Sequence, residues 1–424
     1  MENTKANTPA HTLIINYAGL QPGGVETYFS DLMKYSLDRG YRVVWITTPS
    51  CVQNAFYREI ADDPRVEKLF AKMGRHWFRH EPLCFTPMEN VTMLSCEPLH
   101  FMRAESLREK ANVNSFHHFL VLPHYTGSAY YPERLFNWRF LKAFWYRYMK
   151  KLACKWVEAD CIRAFSLKHL DAYEENYGVT IPDKTSKILG RIEQIAPIDK
   201  AALAERASQR NENFTIVTCA RFDFPHKAYL LGLIDSYGAL KPKYPQLKLV
   251  VVGYGKGEAA LREKIAVLPE QMQRDIVLPG ALSMEQLKKQ FRQGHLNVGL
   301  AGAILDGAAC ALPSLLTRHY TDLCETYGFL SDISGNLLRE DPGHDSLSYI
   351  ERVLNMSDED YILQCRRDYQ AARSRRKSDP DYFFRQNNGV CGSVVNAMQT
   401  RLGKILNLCG YLKYRLWGAE GYNN

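Results

Sequence analysis

The sequence predicts an α/β protein built from two doubly wound parallel-sheet domains. Short apolar runs rich in β-branched residues alternate with longer helical patterns, which is the rhythm of parallel sheets covered by helices. That rhythm runs through the chain twice, with a polar stretch between the two series. The length agrees: 424 residues is about 2.8 times a domain of ~150, too long for one small domain. Hydrophobic residues make up 46%, charged residues 24% and aromatics 12%, as in a chain with packed cores rather than a disordered one.

In the first series TLIIN (Thr12 to Asn16) reads as a buried strand. Gly19, Gly23 and Gly24 follow it, then an amphipathic helix from about Val25 to Leu37, stopped by Gly40. RVVWITT (Arg42 to Thr48) is the next strand. FLVL (Phe119 to Leu122), a long helix from about Leu135 to Val157, and CIRAF (Cys161 to Phe165) complete what the pattern offers there. The stretch 199–213, DKAALAERASQRNEN, is polar apart from its alanines and reads as a linker. The second series starts with FTIVTCA (Phe214 to Ala220) and a helix ending near Leu240. LKLVVVG (Leu247 to Gly253), a helix near Glu258 to Leu268 and the strand IVL at Ile276 come next. Ser283 with Gln286 forms a capping box for another helix. LNVGL (Leu296 to Leu300), a helix at about Ile304 and SLLT (Ser314 to Thr317) close the series. The expected division is a first domain over 1–198, a linker over 199–213, a second domain over 214–380 and a terminal segment over 381–424.

Charge and cysteine content exclude several classes. Lys plus Arg is 54 against 46 for Asp plus Glu, a net +8, too mild to argue for nucleic acid. The 11 cysteines are scattered with no CxxC pair, neither a zinc pattern nor a disulfide framework, so reduced thiols in a cytosolic compartment are expected. MENTKANTPAHT at the start lacks the charged end and apolar run of a signal peptide. The longest apolar stretch, Leu296 to Leu305, is about half the ~20 residues of a spanning helix. Cytoplasmic location follows as the expectation.

Two facing doubly wound domains make a cleft lined by the carboxyl ends of strands, where such sheets bind ligands. Three loops of the second series bear on that. CARFDFPHKA (Cys219 to Ala228) sets Arg221 and Lys227 after a strand, a fork and a point charge suited to a diphosphate, although both also suit an ordinary solvated loop. VVGYGKG (Val251 to Gly257) allows close backbone approach through Gly253 and Gly255, as any tight turn does. In VGLAGAILDGAACALPSLL (Val298 to Leu316) the small residues Gly299, Ala301, Gly302 and Ala303 stand between a strand and a helix start, where amides meet phosphates. Asp306 is expected in the first turn of that helix, either as a ligand contact or as a carboxylate complementing the helix dipole.

In this order the residues resemble the nucleotide-binding domain of family four of the retaining glycosyltransferases of GT-B fold. The family's strand–Arg–Lys-Gly–helix segment is matched by Arg221 with His226-Lys227-Ala228, and its "VG-x-G" by Gly253 and Gly255. Its "E-A-x-A-C-G-x-P" turn is matched by Asp306-Gly307-Ala308-Ala309-Cys310-Ala311-Leu312-Pro313. PGGVETYFSDLMKYSLDRGYRVVWIT (Pro22 to Thr47) resembles the family's "GG-x-E" loop, and ADCIRAFSLKHLDAYEENYGV (Ala159 to Val179) its "AD-x-(V/I)-x-x-x-S" segment. The likeness covers roughly residues 10 to 330. Two departures stand out: Val298 occupies the place of the family's first glutamate, a donor-sugar contact, and Ala228 replaces the glycine after the lysine.

The resemblance implies a fold of two Rossmann-like domains, the second binding a nucleoside-diphosphate sugar, a C-terminal helix over 381–424 returning to the first domain, and transfer of a hexose with retention to a glycan or lipid-linked acceptor. It implies Arg221 and Lys227 at the diphosphate, Asp306 at the ribose, and Gly253, Gly302 and Ala303 along the donor. From the first domain it implies His124, in LPHYTGS, near the reaction centre, and Gly23 and Gly24 at a helix amino terminus facing the diphosphate or acceptor. A core histidine and a plain capping role for Glu26 remain open alternatives. No divalent ion or other cofactor is implied. Seven Arg or Lys and eight aromatics interleave over Pro132 to Trp156, and RLGKILNLCGYLKYRLWG (Arg401 to Gly418) carries an apolar stripe with basic flanks. Both suit an anionic membrane surface at the inner face of a bacterial cell membrane, and both also suit helices packed on the first domain. Val298 motivates a different class, a non-catalytic GT-B partner subunit that keeps nucleotide binding. A DNA-modifying enzyme is disfavoured because no groove-reading motif accompanies the charge.

Overall fold

The computed structural model describes residues 11–19, 23–70, 83–87, 89–96, 98–110, 113–123, 139–190, 192, 195–339, 341–375 and 380–385. The chain divides into two compact units. Unit 1 comprises Met1–Ile192 and Ser378–Asn424, and unit 2 comprises Glu193–Lys377.

Unit 1 holds six parallel strands: β1 His11–Asn16, β2 Arg42–Thr47, β3 Val66–Phe70, β4 Asn90–Cys96, β5 Ser115–Leu122 and β6 Ile162–Ala164. Their order is β3-β2-β1-β4-β5-β6, so the chain winds outward from β1 and then restarts on its other side at β4. The apolar runs are buried as expected; Leu13, Ile15, Val43 and Trp45 face the helix Gly24–Asp38 through Phe29, Leu32 and Met33 in one core cluster. The long helix spans Arg139–Glu158. It buries Met149, Leu152, Ala153 and Trp156 and exposes Arg147, Lys150, Lys151 and Lys155. The side chains of 131–142, 144 and 145, with most of the interleaved aromatics, lie outside the described residues, as does the stripe at 401–418.

Unit 2 holds β7 Phe214–Arg221, β8 Leu247–Tyr254, β9 Ile276–Gly280, β10 Leu296–Gly299, β11 Ser314–Thr317, β12 Glu325–Phe329 and β13 His344–Asp345. The order is β13-β12-β11-β10-β7-β8-β9, parallel except for the antiparallel β12 and β13. The helix Met284–Gln293 starts on the expected capping box: the Gln286 amide donates to Ser283 Oγ at 3.3 Å, and the Gln286 side chain accepts from the Ser283 amide at 3.0 Å.

Two expectations need correction. In place of a linker, 199–213 contains the helix Lys200–Gln209 within unit 2. Asp199 caps it by accepting from the Ala201 and Ala202 amides, and its buried face is Leu203, Arg206 and Ala207, with Arg206 donating to the Ala311 carbonyl. The second concerns the helix after β10. It starts at Gly302 and runs to Ala309, so Asp306 is its fifth residue and falls in the second turn. The earlier start follows from the tight turn, in which the Ala303 amide already reaches the Leu300 carbonyl at 3.2 Å. Among the described residues no helix is long and apolar enough to cross a membrane.

The chain returns to unit 1 at 380–385. Phe383 and Phe384 are buried in its core, and Thr92 Oγ1 donates to the Phe383 carbonyl at 2.7 Å. Asp381 accepts from Tyr35 Oη at 2.7 Å and pairs with Arg39, while Tyr382 Oη meets Arg163 and Asp160.

Candidate functional site

A doubly wound sheet binds ligands where its strand order reverses, outside the carboxyl ends of the two strands that flank the reversal. In unit 2 those strands are β7 and β10. The loop after β7 begins at Arg221 and the turn after β10 contains Ala301 and Gly302. The sheet topology therefore gathers Arg221, Lys227, Gly302, Ala303 and Asp306 at one place.

Electrostatics supports the same grouping. Burial beside the Asp306 carboxylate pushes the Cys219 thiol up to about 12, and the Lys227 ammonium opposes that shift, so all three are within Coulombic reach. Lys227 is itself lowered to about 8, first by burial and then by the neighbouring Arg221 guanidinium, with Asp223 acting the other way. A half-buried lysine displaced this far and set beside a second cation is a candidate for an anionic ligand. Arg221 and Asp223 pair at 3.2 Å with 40% and 44% of their side chains exposed. The loop is closed by the Lys227 amide, which donates to the Asp223 carbonyl at 2.9 Å.

The β10 turn carries strain. Ala301 has φ 53° and ψ −119°, a conformation that suits glycine and costs an alanine of order 1–3 kcal/mol. Behind it the buried Asn297 amide donates to the Ala303 carbonyl at 3.2 Å and the Ile304 carbonyl at 3.3 Å, fixing the helix start. Gly307 packs directly on Asn297; a Cβ there would lie 2.2 Å from its amide nitrogen. Val298 is wholly buried in the core of unit 2, within β10.

The glycines divide into two kinds. Gly253, at φ 151°, is demanded by the fold, because a Cβ would stand 1.8 Å from the Ala220 carbonyl oxygen of the adjacent strand. Gly23 is in ordinary extended backbone, and a Cβ on Gly24 would meet nothing within 4 Å. Open space around Gly24 means that packing does not demand glycine there. Both glycines stand at the start of the helix Gly24–Asp38, after β1 and so at the switch point of unit 1. His124 lies outside the described residues. Glu26 is buried and accepts from Tyr17 Oη at 2.6 Å, a contact that fills the space beside Gly19.

Two clusters escape sequence reading. Beneath the unit 1 switch point Asn16 Nδ2 donates to Ser95 Oγ at 2.9 Å, Ser95 Oγ bonds His118 Nε2 at 2.8 Å, and His118 Nδ1 bonds Glu105. The imidazole stacks on Phe101 with ring centroids 4.0 Å apart, and every member of this chain is buried. In unit 2 His226, His319 and Tyr320 pack ring to ring beside Lys227. The local signals are slight: the His pair inside SFHHFLVL in the first cluster and the adjacency of His319 and Tyr320 in the second.

No family model matches the chain, and no curated protein matches it. Solved structures do. HepE of Anabaena in complex with UDP has a TM-score of 0.53 at 14% identity, over 88% of this chain and 97% of that one. WaaG, a glycosyltransferase involved in lipopolysaccharide biosynthesis, has a TM-score of 0.51 at 15% identity, over 89% of this chain and 100% of that one. The N-terminal domain of Candida albicans trehalose-6-phosphate phosphatase has 0.51 at 12% identity, over 88% and 95%. At such identities the likeness is one of fold. The chain has the α/β GT-B fold, two Rossmann-like domains each wound on a mainly parallel sheet.

Proposed function

We propose that this chain is a glycosyltransferase. In this reading it moves a hexose from a nucleoside-diphosphate sugar to a glycan or lipid-linked acceptor, with retention at the anomeric carbon, in bacterial surface polysaccharide biosynthesis. The observation that carries the reading is the gathering of Arg221, Lys227, the Gly302–Ala303 helix start and Asp306 at the switch point of unit 2. The fold neighbours add support, since HepE was solved with UDP and glucose and WaaG acts in lipopolysaccharide biosynthesis.

The chemistry follows from charge. The bond between the anomeric carbon and the phosphate oxygen breaks, its electron pair stays on the diphosphate, and the acceptor oxygen bonds to the anomeric carbon and passes its proton to a phosphate oxygen of the leaving diphosphate. Negative charge grows on the leaving group, so Arg221 and Lys227 act more strongly in the transition state than in the ground state. The helix start at Gly302 and Ala303 offers amides to the same charge. No metal is needed in this scheme. Asp306 holds the ribose hydroxyls, one methylene shorter than the glutamate of the resembling family. His124, Gly23 and Gly24 serve the sugar and acceptor side. Exposed Arg147, Lys150, Lys151 and Lys155 favour an anionic leaflet as the place where a lipid-linked acceptor is met.

A thermal-shift screen of UDP-, GDP- and ADP-sugars, followed by a transfer assay with the stabilising donor, tests the proposal. Stabilisation by one donor and turnover of it are expected. Stabilisation without turnover moves the chain to the partner-subunit class, and no stabilisation by any donor refutes the site.

A further inference from the structure

We infer that His226, His319 and Tyr320 form a stacking platform for the sugar ring of the donor, beside the cations that hold its diphosphate. The inference rests on the reading of unit 2 as a nucleotide-sugar site. The three rings touch one another: His226 and Tyr320 have centroids 4.8 Å apart at 35°, His319 and Tyr320 5.0 Å apart at 58°, and the two imidazoles 5.7 Å apart, edge to face. They come from two loops at the carboxyl ends of β7 and β11, joined by the Tyr320 amide donating to the His226 carbonyl at 3.2 Å.

The platform is held rigidly and yet left open. Tyr320 has φ 57°, rare for a bulky residue, and its loop lies directly on the helix Tyr229–Leu240, where a Cβ on Gly232 would be 2.2 Å from the Cys324 amide nitrogen. Arg318 ties the base of the loop to Glu325 at 2.7 Å. Despite this anchoring Tyr320 is 61% exposed. A strained backbone that keeps a large ring in water is explained by a partner for the ring.

Charge narrows the partner. Burial and the neighbouring Lys227, His319 and Arg221 lower His226 to about 4, with only Asp223 opposing, so its imidazole is neutral near pH 7. A neutral aromatic face next to two cations fits a ligand whose apolar ring face is joined to an anion. In a nucleoside-diphosphate sugar the pyranose is bonded directly to the terminal phosphate, whereas the base is set off by the ribose. The ring adjacent to the diphosphate is therefore the sugar, whose C–H face stacks on aromatic side chains.

Calorimetric titration of the full chain tests this with three matched pairs: UDP and UDP-glucose, GDP and GDP-mannose, ADP and ADP-glucose. For the pair that the unaltered protein binds, Tyr320→Ala is expected to weaken the nucleotide sugar about tenfold, the size of a stacking contact, and to leave the free nucleotide unchanged. Tyr320→Phe should behave as the unaltered protein. Tyr320→Asn, which tolerates the left-handed backbone, repeats the ring deletion if the alanine variant melts early. Equal weakening of nucleotide and nucleotide sugar, or no weakening of either, overturns the platform while leaving the donor site standing. If the unaltered protein binds none of the six compounds, the donor-site reading itself fails and the platform with it.

Discussion

At the switch point of unit 1 the polar side chains close on one another, whereas at that of unit 2 charged groups crowd together around a strained turn. Asn16, Ser95, His118 and Glu105 form a chain of hydrogen bonds with every member buried. Arg221, Asp223, Lys227 and Asp306 are half-buried, and burial, followed by the Arg221 guanidinium, lowers the Lys227 pKa to about 8. The same topology thus makes a sealed joint in one unit and gathers partly exposed charged groups in the other. A polar cluster at a strand end points to ligand binding where its cations stay partly exposed, as Arg221 does at 40%, and not where every member is sealed in the core.

That contrast can be broken most severely in unit 1. His118→Ala removes the hydrogen bonds to Ser95 and Glu105 and opens space beside Phe101, and the loss of a buried hydrogen-bond partner costs about 1–3 kcal/mol for each group left behind. Chemical denaturation should show a loss of that order. A variant as stable as the parent would mean the joint is not what holds β4 to β5. In unit 2 the effect should fall on rate instead. Lys227→Ala removes a charge-assisted hydrogen bond worth roughly 1.5–3 kcal/mol, so turnover should drop roughly 10- to 150-fold with the melting temperature almost unchanged. Arg221→Lys should be impaired as well, since an ammonium lacks the planar fork. Near-normal turnover in both variants removes the cations from the chemistry. The smallest effect is in pH. With Lys227 at about 8 in the free protein, its cation is lost as pH rises through that value, so kcat/KM should halve near pH 8 and fall above it until it levels off at the activity of Lys227→Ala. In Lys227→Arg whatever activity remains should keep no such limb. A parent profile flat to pH 10 contradicts the depressed lysine.

Unit 2 was largely legible because its signals are local: β7 and β8 are continuous apolar runs, and the capping box at Ser283 lies within four residues. β4 was not, although it is central in its sheet. NVTMLSC reads as mixed polar sequence, yet all seven residues are buried, because Thr92 finds the Phe383 carbonyl and Ser95 finds Asn16 and His118, partners far away in the chain. The helix Lys200–Gln209 hid for the same reason, its buried arginine being satisfied by carbonyls about a hundred residues on. Of the candidate site, Arg221 and Lys227 followed from a loop after an obvious strand, but the ring cluster at His319 and Tyr320 comes from a second loop that only the sheet order brings near.

The return of residues 380–385 to unit 1 has a consequence for biosynthesis. The core that Phe383 and Phe384 complete is otherwise built from residues up to Ile192, so unit 1 leaves the ribosome with part of its apolar surface uncovered. All of unit 2 must be translated before the covering residues appear, a delay of roughly 10–40 s at ordinary elongation rates. Unit 2, by contrast, is one continuous segment. It can reach its final packing first, so the later-made half of the protein matures ahead of the earlier one, and chaperone demand concentrates on the waiting amino-terminal half.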